Sequence, residues 1–154
     1  MKEKQKHQHS LLLRLNPKLW PVWTSRLSFD SYVDIWFKTG RRKAADLFPG
    51  IPVIVLGTHG LGVVAFGETV SSVESRPDPD WKEVSQEHQA AYREPTNRVC
   101  VKIRRVAIAL QVIQEHPSIA NLHRTARETA TWLTAEQYRE FSSLIGKQGE
   151  LLRG

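Results

Sequence analysis

The sequence predicts an α+β fold on three observations: a glycine-centred pair of β-branched stretches between positions 51 and 70, an alternating strand from Arg98 to Val106, and a capped amphipathic helix that begins after Thr134. A chain of 154 residues suits one domain, and 40% apolar with 25% charged residues excludes a sequence too polar to fold.

In chain order, Met1 to His9 reads as a flexible basic tail, because the apolar stretch behind it is only Leu11 to Leu13 before Arg14 interrupts, too short for a secretory signal. Ser10 to Leu15 lacks the polar alternation of a surface strand and suits a buried one that ends at Asn16-Pro17. Beyond a loop bearing Trp20, Pro21 and Trp23, Ser28 is positioned to cap a helix. Its apolar face would be Phe29, Tyr32, Val33 and Trp36, with Gly40 as the stop. Arg41, Arg42 and Lys43 follow as the densest basic cluster.

Ile51 to Leu56 and Leu61 to Val70 are joined by Gly57-Thr58-His59-Gly60, whose small residues permit a β-hairpin. Gly62 and Gly67 within the second arm mark a bulge, a bend or the close approach of another group. Glu74 to Pro95 carries Pro77, Pro79 and many polar residues, and reads as a long surface loop. In the next strand Val99, Val101 and Ile103 face one way, while Arg98, Cys100, Lys102 and Arg104 form a half-exposed basic face. Thr134 and Gln137 form a capping box, Leu133 and Tyr138 a hydrophobic staple, and Phe141, Leu144 and Ile145 carry the apolar stripe to Gly146. The expected organisation is therefore a tail over 1–9, a domain over 10–146 and a loose end over 147–154.

Twenty-two Lys and Arg against sixteen Asp and Glu leave a net charge of +6, which favours an anionic partner, with phosphate backbones first among them. No apolar run approaches the roughly 18 residues of a membrane span, so no membrane partner is expected. The single cysteine, Cys100, excludes an internal disulfide or a cysteine cage and fits a reducing, cytoplasmic setting.

Catalytic patterns are incomplete. Pro77-Asp78 resembles the opening of a nuclease core, yet the strand holding Lys102 has Cys100 where a metal-binding acid should stand, so two converging carboxylates are missing. The six histidines form no zinc pattern, a lone cysteine cannot supply the deaminase ligand set, and neither a G-x-S-x-G elbow nor a phosphate-cradling glycine loop occurs. The sequence therefore predicts no enzyme, no metal and no cofactor. The tryptophans say more: Trp36 and Trp132, in or beside helices, read as core, whereas Trp20, Trp23 and Trp81 fall in loops, where an indole beside a basic surface can stack on an unpaired base.

The run Trp36 to Gly40, then Phe48-Pro49-Gly50 leading into Ile51 to Leu56, then Gly57 to Val70 with its Gly62-Val63-Val64-Ala65-Phe66-Gly67 core, followed later by Trp81, resembles the EVE-like branch of the PUA-like superfamily, related to YTH and ASCH domains. The resemblance covers roughly residues 10–146, and it departs from the pattern at Ile51-Pro52, where many relatives place aspartate directly after glycine. It implies a PUA-like curved β-barrel with flanking helices and an aromatic pocket that accepts a flipped base, most often a modified cytosine in DNA. On that expectation Trp20, Trp23, Phe66 and Trp81 wall the pocket, and Arg41, Arg42, Lys43, Lys102, Arg104 and Arg105 hold the backbone. A separate nuclease or effector protein would supply any further activity. RNA binding by the same face, a nucleic-acid-processing enzyme and a protein-interaction adaptor are the competing readings.

Overall fold

The structure, a computed structural model, describes residues 10–40, 46–125 and 129–153. Among these residues the strands are β1 (Ser10–Leu15), β2 (Val33–Lys38), β3 (Pro52–Gly57), β4 (Gly62–Thr69), β5 (Glu74–Arg76), β6 (Thr96–Ile108) and β7 (Ala130–Leu133). The helices are α1 (Trp23–Arg26), α2 (Gln89–Arg93), α3 (Leu110–Gln114), α4 (Leu122–Thr125) and α5 (Ala135–Arg153). All seven strands join one sheet in the order β2-β6-β4-β3-β1-β7, with β5 also paired to β6. The fold is α+β, and no hydrogen-bonded pairing among the described residues joins the edge strands β2 and β7.

Side-chain parity divides the interior into two cores. Leu11, Leu13 and Leu15 of β1 and Val53 and Val55 of β3 enter one cluster with Ile35, Ala65, Val99, Val101 and Ile103. Their neighbours Leu12, Ile54 and Leu56 point the other way, joining Val63, Ile108 and Leu133 beneath Phe141 and Leu144 of α5. Successive residues of a strand face opposite sides, so a strand covered on both faces must be apolar throughout. That is why Leu11 to Leu13 of β1 and Val53 to Leu56 of β3 are continuous apolar runs. The two pair in parallel, Leu11 opposite Val53 through Leu15 opposite Gly57.

The hairpin forms as its residues predict, with β3 and β4 antiparallel and a register shift between Val55 and Leu56. The capping box is present as two reciprocal bonds: the Thr134 N–H donates to Gln137 Oε1 at 2.9 Å and the Gln137 N–H to Thr134 Oγ1 at 3.1 Å. Leu133 and Tyr138 pack in the same cluster, as a staple requires. The helix does not stop at Gly146 but continues to Arg153, so the expected loose end from 147 is helical in its backbone. A Cβ at Gly146 would meet nothing within 4 Å. Gly146→Ala should therefore raise stability by about 0.5–1 kcal/mol, the helix-interior difference between the two residues, read as a higher urea midpoint at unchanged slope.

Three further expectations are corrected. The segment after Ser28 is not a helix: Val33 to Lys38 is β2, paired antiparallel to β6 from Val33–Ile103 to Lys38–Arg98. Ser28 Oγ does accept the N–H groups of Asp30 and Ser31, at 3.0 and 3.2 Å, but those bonds close a turn. The helical stripe would have buried Phe29 and Tyr32, which are 44% and 47% exposed, while the period-two residue Ile35 is buried in the core. Glu74–Pro95 is not one loop; it holds β5, 3-10 turns at Trp81–Glu83 and Gln86–His88, and α2. Finally, β6 is longer than expected, and its outward face is not basic along its whole length, because Arg98 is 0% exposed. Residues 1–9 and the cluster Arg41, Arg42 and Lys43 lie outside the described residues. No helix among the described residues is long and apolar enough to cross a membrane.

Candidate functional site

A cavity of about 300 Å³ opens between the end of β1 and the middle of β2. These strands are four places apart in the sheet, about 19 Å if it were flat. One cavity of this size can touch Leu15 and Ile35 together only because the sheet bends round it.

Two loop segments complete the walls. After β1, the Leu19 and Trp20 N–H groups donate to the Asn16 carbonyl, and this turn carries Trp20 to the cavity. Opposite it, the segment from Asp78 to Tyr92 supplies Asp78, Asp80, Val84 and Tyr92. The two are tied together: Trp20 Nε1 donates to Glu83 Oε1 at 3.1 Å, Arg26 Nε to the same oxygen at 2.9 Å, and Arg26 Nη2 to Asp80 Oδ2 at 3.0 Å. Burial disfavours the Arg26 cation, but the bonds to Glu83 and Asp80 outweigh it and raise the pKa above the ordinary arginine value. The proline-rich stretch is thus a fixed wall.

Arg98 and Asp78 are the polar centre. Arg98 Nε donates to the Arg76 carbonyl at 3.0 Å, and Nη1 lies 3.8 Å from Asp78 Oδ2, an ion-pair distance too long for a hydrogen bond. Neither Nη1 nor Nη2 has a hydrogen-bond partner, although both are buried. The Tyr92 ring lies 5.1 Å from the guanidinium carbon. Asp78 Oδ1 accepts the Asp80 N–H at 2.9 Å. Burial pushes the Asp78 carboxyl up, against the opposing pull of the Asp80 N–H and the Arg98 charge. Burial likewise lowers Arg98, against the opposing pull of Asp78. Both partners are therefore shifted toward neutrality, so desolvation exceeds their mutual attraction. A buried donor–acceptor pair among aromatic walls suits a planar ligand with both kinds of hydrogen-bonding edge.

Of the four expected pocket residues, Trp20 lines the cavity and the other three do not. Trp23 packs against the core with Arg105 stacked 4.8 Å from its ring. Phe66 packs against the opposite face of the sheet, edge-on to Tyr32 at 6.0 Å. Trp81 is flanked by Arg93 at 4.9 Å and Lys82 at 5.6 Å, while its neighbours Asp80 and Val84 line the cavity. The aromatic lining instead includes Trp36, Phe37 and Tyr92.

The expected backbone contacts also disperse. Lys102 is exposed between Asp34 and Glu68, its cross-strand partners. Arg104 stacks on Tyr32 and Phe66, at 5.5 and 5.3 Å, and Arg105 on Trp23 and Phe29, at 4.8 and 4.6 Å. Arg104 lies six positions along β6 from Arg98, about 20 Å of backbone. The cations at the cavity are Arg14, Lys38 and Arg98, none of which sequence reasoning selected for a site. Asp78, weighed in the sequence for a nuclease metal, faces Arg98; among the described residues no cluster of three or more His, Cys, Asp or Glu is arranged to hold a metal. Burial pushes the Cys100 thiol up to about 11, too high for a nucleophile at neutral pH.

No family model matches the chain, and no curated protein matches it. The fold is similar to two solved structures. The crystal structure of a protein from Pseudomonas syringae is 16% identical, with a TM-score of 0.57 over 88% of this chain and 98% of that one. The structure of a hypothetical protein from Leishmania major is 15% identical, with a TM-score of 0.61 over 92% of this chain and 96% of that one. At these identities the likeness is one of fold.

Proposed function

We propose that the protein is a nucleic-acid-binding module that receives one extruded modified base, a modified cytosine in DNA, in the cavity between β1 and β2. The reading rests on one observation: a cavity of about 300 Å³ that combines aromatic residues with a buried Arg98–Asp78 ion pair whose Nη atoms make no hydrogen bond within the protein. Its volume lies at the lower end of the roughly 300–1,000 Å³ of small-ligand sites, which favours a single base. Extrusion costs a few kcal/mol, which stacking on Trp20 and hydrogen bonds to the base edge must offset. In this arrangement Asp78 accepts from an exocyclic amine and Arg98 donates to ring and carbonyl acceptors. We further propose that the bent sheet is a PUA-like curved β-barrel of the EVE-like branch, acting in the cytoplasm beside a separate nuclease or effector. The curvature around the cavity and the order of residues from Trp36 to Val70 support that placement.

Competition binding between a methylcytosine-containing duplex, its unmodified twin and an RNA panel tests the reading. Discriminating base contacts are worth about 1–3 kcal/mol each, so the modified duplex should win by at least several-fold. Weak, salt-sensitive binding that is equal across all competitors defeats it, and preference for RNA reassigns the cavity to an RNA base.

A further inference from the structure

Trp81 is half-buried and does not line the cavity, although Asp80 before it does. Two exposed cations converge on its ring: Lys82 Nζ lies 5.6 Å from the centroid and the Arg93 guanidinium carbon 4.9 Å from it. A third cation, Lys38, lies 5.2 Å from the ring of Tyr92, the residue before Arg93, and both Lys38 and Tyr92 line the cavity. The basic group is therefore continuous with the cavity wall. Local bonds fix it there. Lys82 belongs to the 3-10 turn Trp81–Glu83, and Arg93 ends α2. Gln89 of α2 donates through Nε2 to the Lys82 and Val84 carbonyls at 3.1 and 3.0 Å, and the Asp78 N–H donates to the Tyr92 carbonyl at 3.0 Å. Turn and helix form one unit, and a ring that holds a cation restricts its side chain without neutralising it.

Most carboxylates of this segment are engaged elsewhere. Asp78 faces Arg98, and Asp80 and Glu83 both bind Arg26. Glu87, 3.8 Å from His88 Nδ1, and Glu94 complete the acids. Lys38, Lys82 and Arg93 have rings as partners and no carboxylate among the described residues. The excess at the rim is positive, in line with the +6 of the whole chain. We infer that Lys82 and Arg93 on Trp81, with Lys38, form the surface that takes the phosphate backbone next to the base held in the cavity. This rests on the function proposed above. A strand that places one base in the cavity must cross its rim, and each nucleotide brings one negative charge there. Such contacts position the strand and carry no sequence information. An acidic polypeptide would meet the same cations but has no base for the cavity.

The test measures binding of the full chain to a methylcytosine-containing duplex and its unmodified twin across a sodium chloride series. Lys82→Gln and Arg93→Gln should each weaken both duplexes alike, by several-fold. Each should reduce the slope of log affinity against log salt by about one, and the double variant by about two. The preference between duplexes should stay as in the wild type, because neither side chain lines the cavity. Both residues are exposed, so the variants should keep the wild-type urea midpoint. Lys147→Gln, an equal loss of charge at an exposed position of α5, should leave the slope unchanged. A slope unchanged in the double variant, with the modified duplex still preferred, overturns the surface and leaves the base reading intact. A wild type without preference, whose salt-sensitive binding weakens in both variants, supports the surface and counts against the base reading. Poly-glutamate that binds as tightly as the duplex and weakens in the same variants overturns the phosphate backbone as occupant in favour of an acidic polypeptide. Lys147→Gln reducing the slope as much as Lys82→Gln also overturns the surface, since the attraction then belongs to the charge of the whole chain.

Discussion

Arg98→Met is expected to cost about 3–5 kcal/mol of stability at neutral pH and, on the proposed function, to abolish base binding. Methionine retains much of the buried stem but removes the charge, leaving the Asp78 carboxylate, itself 7% exposed, without its counter-ion. The deficit should depend on pH in a definite direction. The native Asp78 carboxyl is already raised above its ordinary 3.8, chiefly by burial, so it favours folding most when protonated and loses that contribution as pH rises through its native pKa. Removing Arg98 takes away a charge that was lowering this pKa, which moves it further up. The penalty of the variant should therefore be largest at neutral pH and shrink in acid.

Asp78→Asn provides the contrast. The amide oxygen can still accept the Asp80 N–H, so the turn survives, but the Arg98 guanidinium is left buried without an opposing charge. Its deficit should not shrink in acid, because the wild type gains stability as the raised Asp78 carboxyl takes up its proton, and the amide has no such titration. Combining the two changes should recover much of the loss, since replacing a buried pair by neutral groups is far less costly than removing one partner. Urea titrations across this pH range decide the matter. A loss below about 1 kcal/mol for Arg98→Met, with base preference retained, would show that the pair organises neither the fold nor the cavity.

The residues around this pair also show how much could be read from sequence. Elements specified by neighbours along the chain were legible: Ser10–Leu15 as a buried strand, the hairpin around Thr58, and the capping box at Thr134. The stretch after Ser28 was not, because Phe29, Tyr32, Val33 and Trp36 fit a helical stripe while Val33, Ile35 and Phe37 fit a strand. Pairing with β6, at positions that run from Val33–Ile103 to Lys38–Arg98, decides between the periods. Alternation in β6 correctly separates Val99 from Arg98, but it cannot reveal what covers the second face. That cover is β5 and the Asp78–Tyr92 segment, which turn an apparently solvated arginine into the buried centre of the site. The loop tryptophans fail as a guide for a similar reason. Trp20 is drawn to the cavity by its bond to Glu83, whereas Arg105 and Arg93 occupy the faces of Trp23 and Trp81, and no spacing in the sequence announces those partners.

Gly62→Ala is expected to cost about 3–5 kcal/mol without requiring any change in charge, combining overpacking with backbone strain. A Cβ there would lie 2.0 Å from the Ile108 carbonyl oxygen, and φ is +83°, where a side chain adds its own strain. Gly67→Ala should cost somewhat less, because its Cβ would lie 1.9 Å from the Lys102 oxygen but no positive φ is involved. In both cases the obstacle is the β6 backbone, which can retreat only by opening the ladder that fixes Ala65 opposite Arg105 and Glu68 opposite Lys102. Gly60→Ala isolates the strain: φ is +80°, yet nothing lies within 4 Å of the added carbon, so it should cost only about 1 kcal/mol. Equal losses at positions 60 and 62 would show that strand contact is not the reason for glycine in β4. Gly67 does not line the cavity. On the proposed function, molecules of Gly67→Ala that remain folded should therefore keep the preference between modified and unmodified duplex, whereas Arg98→Met should lose stability and preference together, an outcome that would separate a residue that builds the sheet from one proposed to read the base.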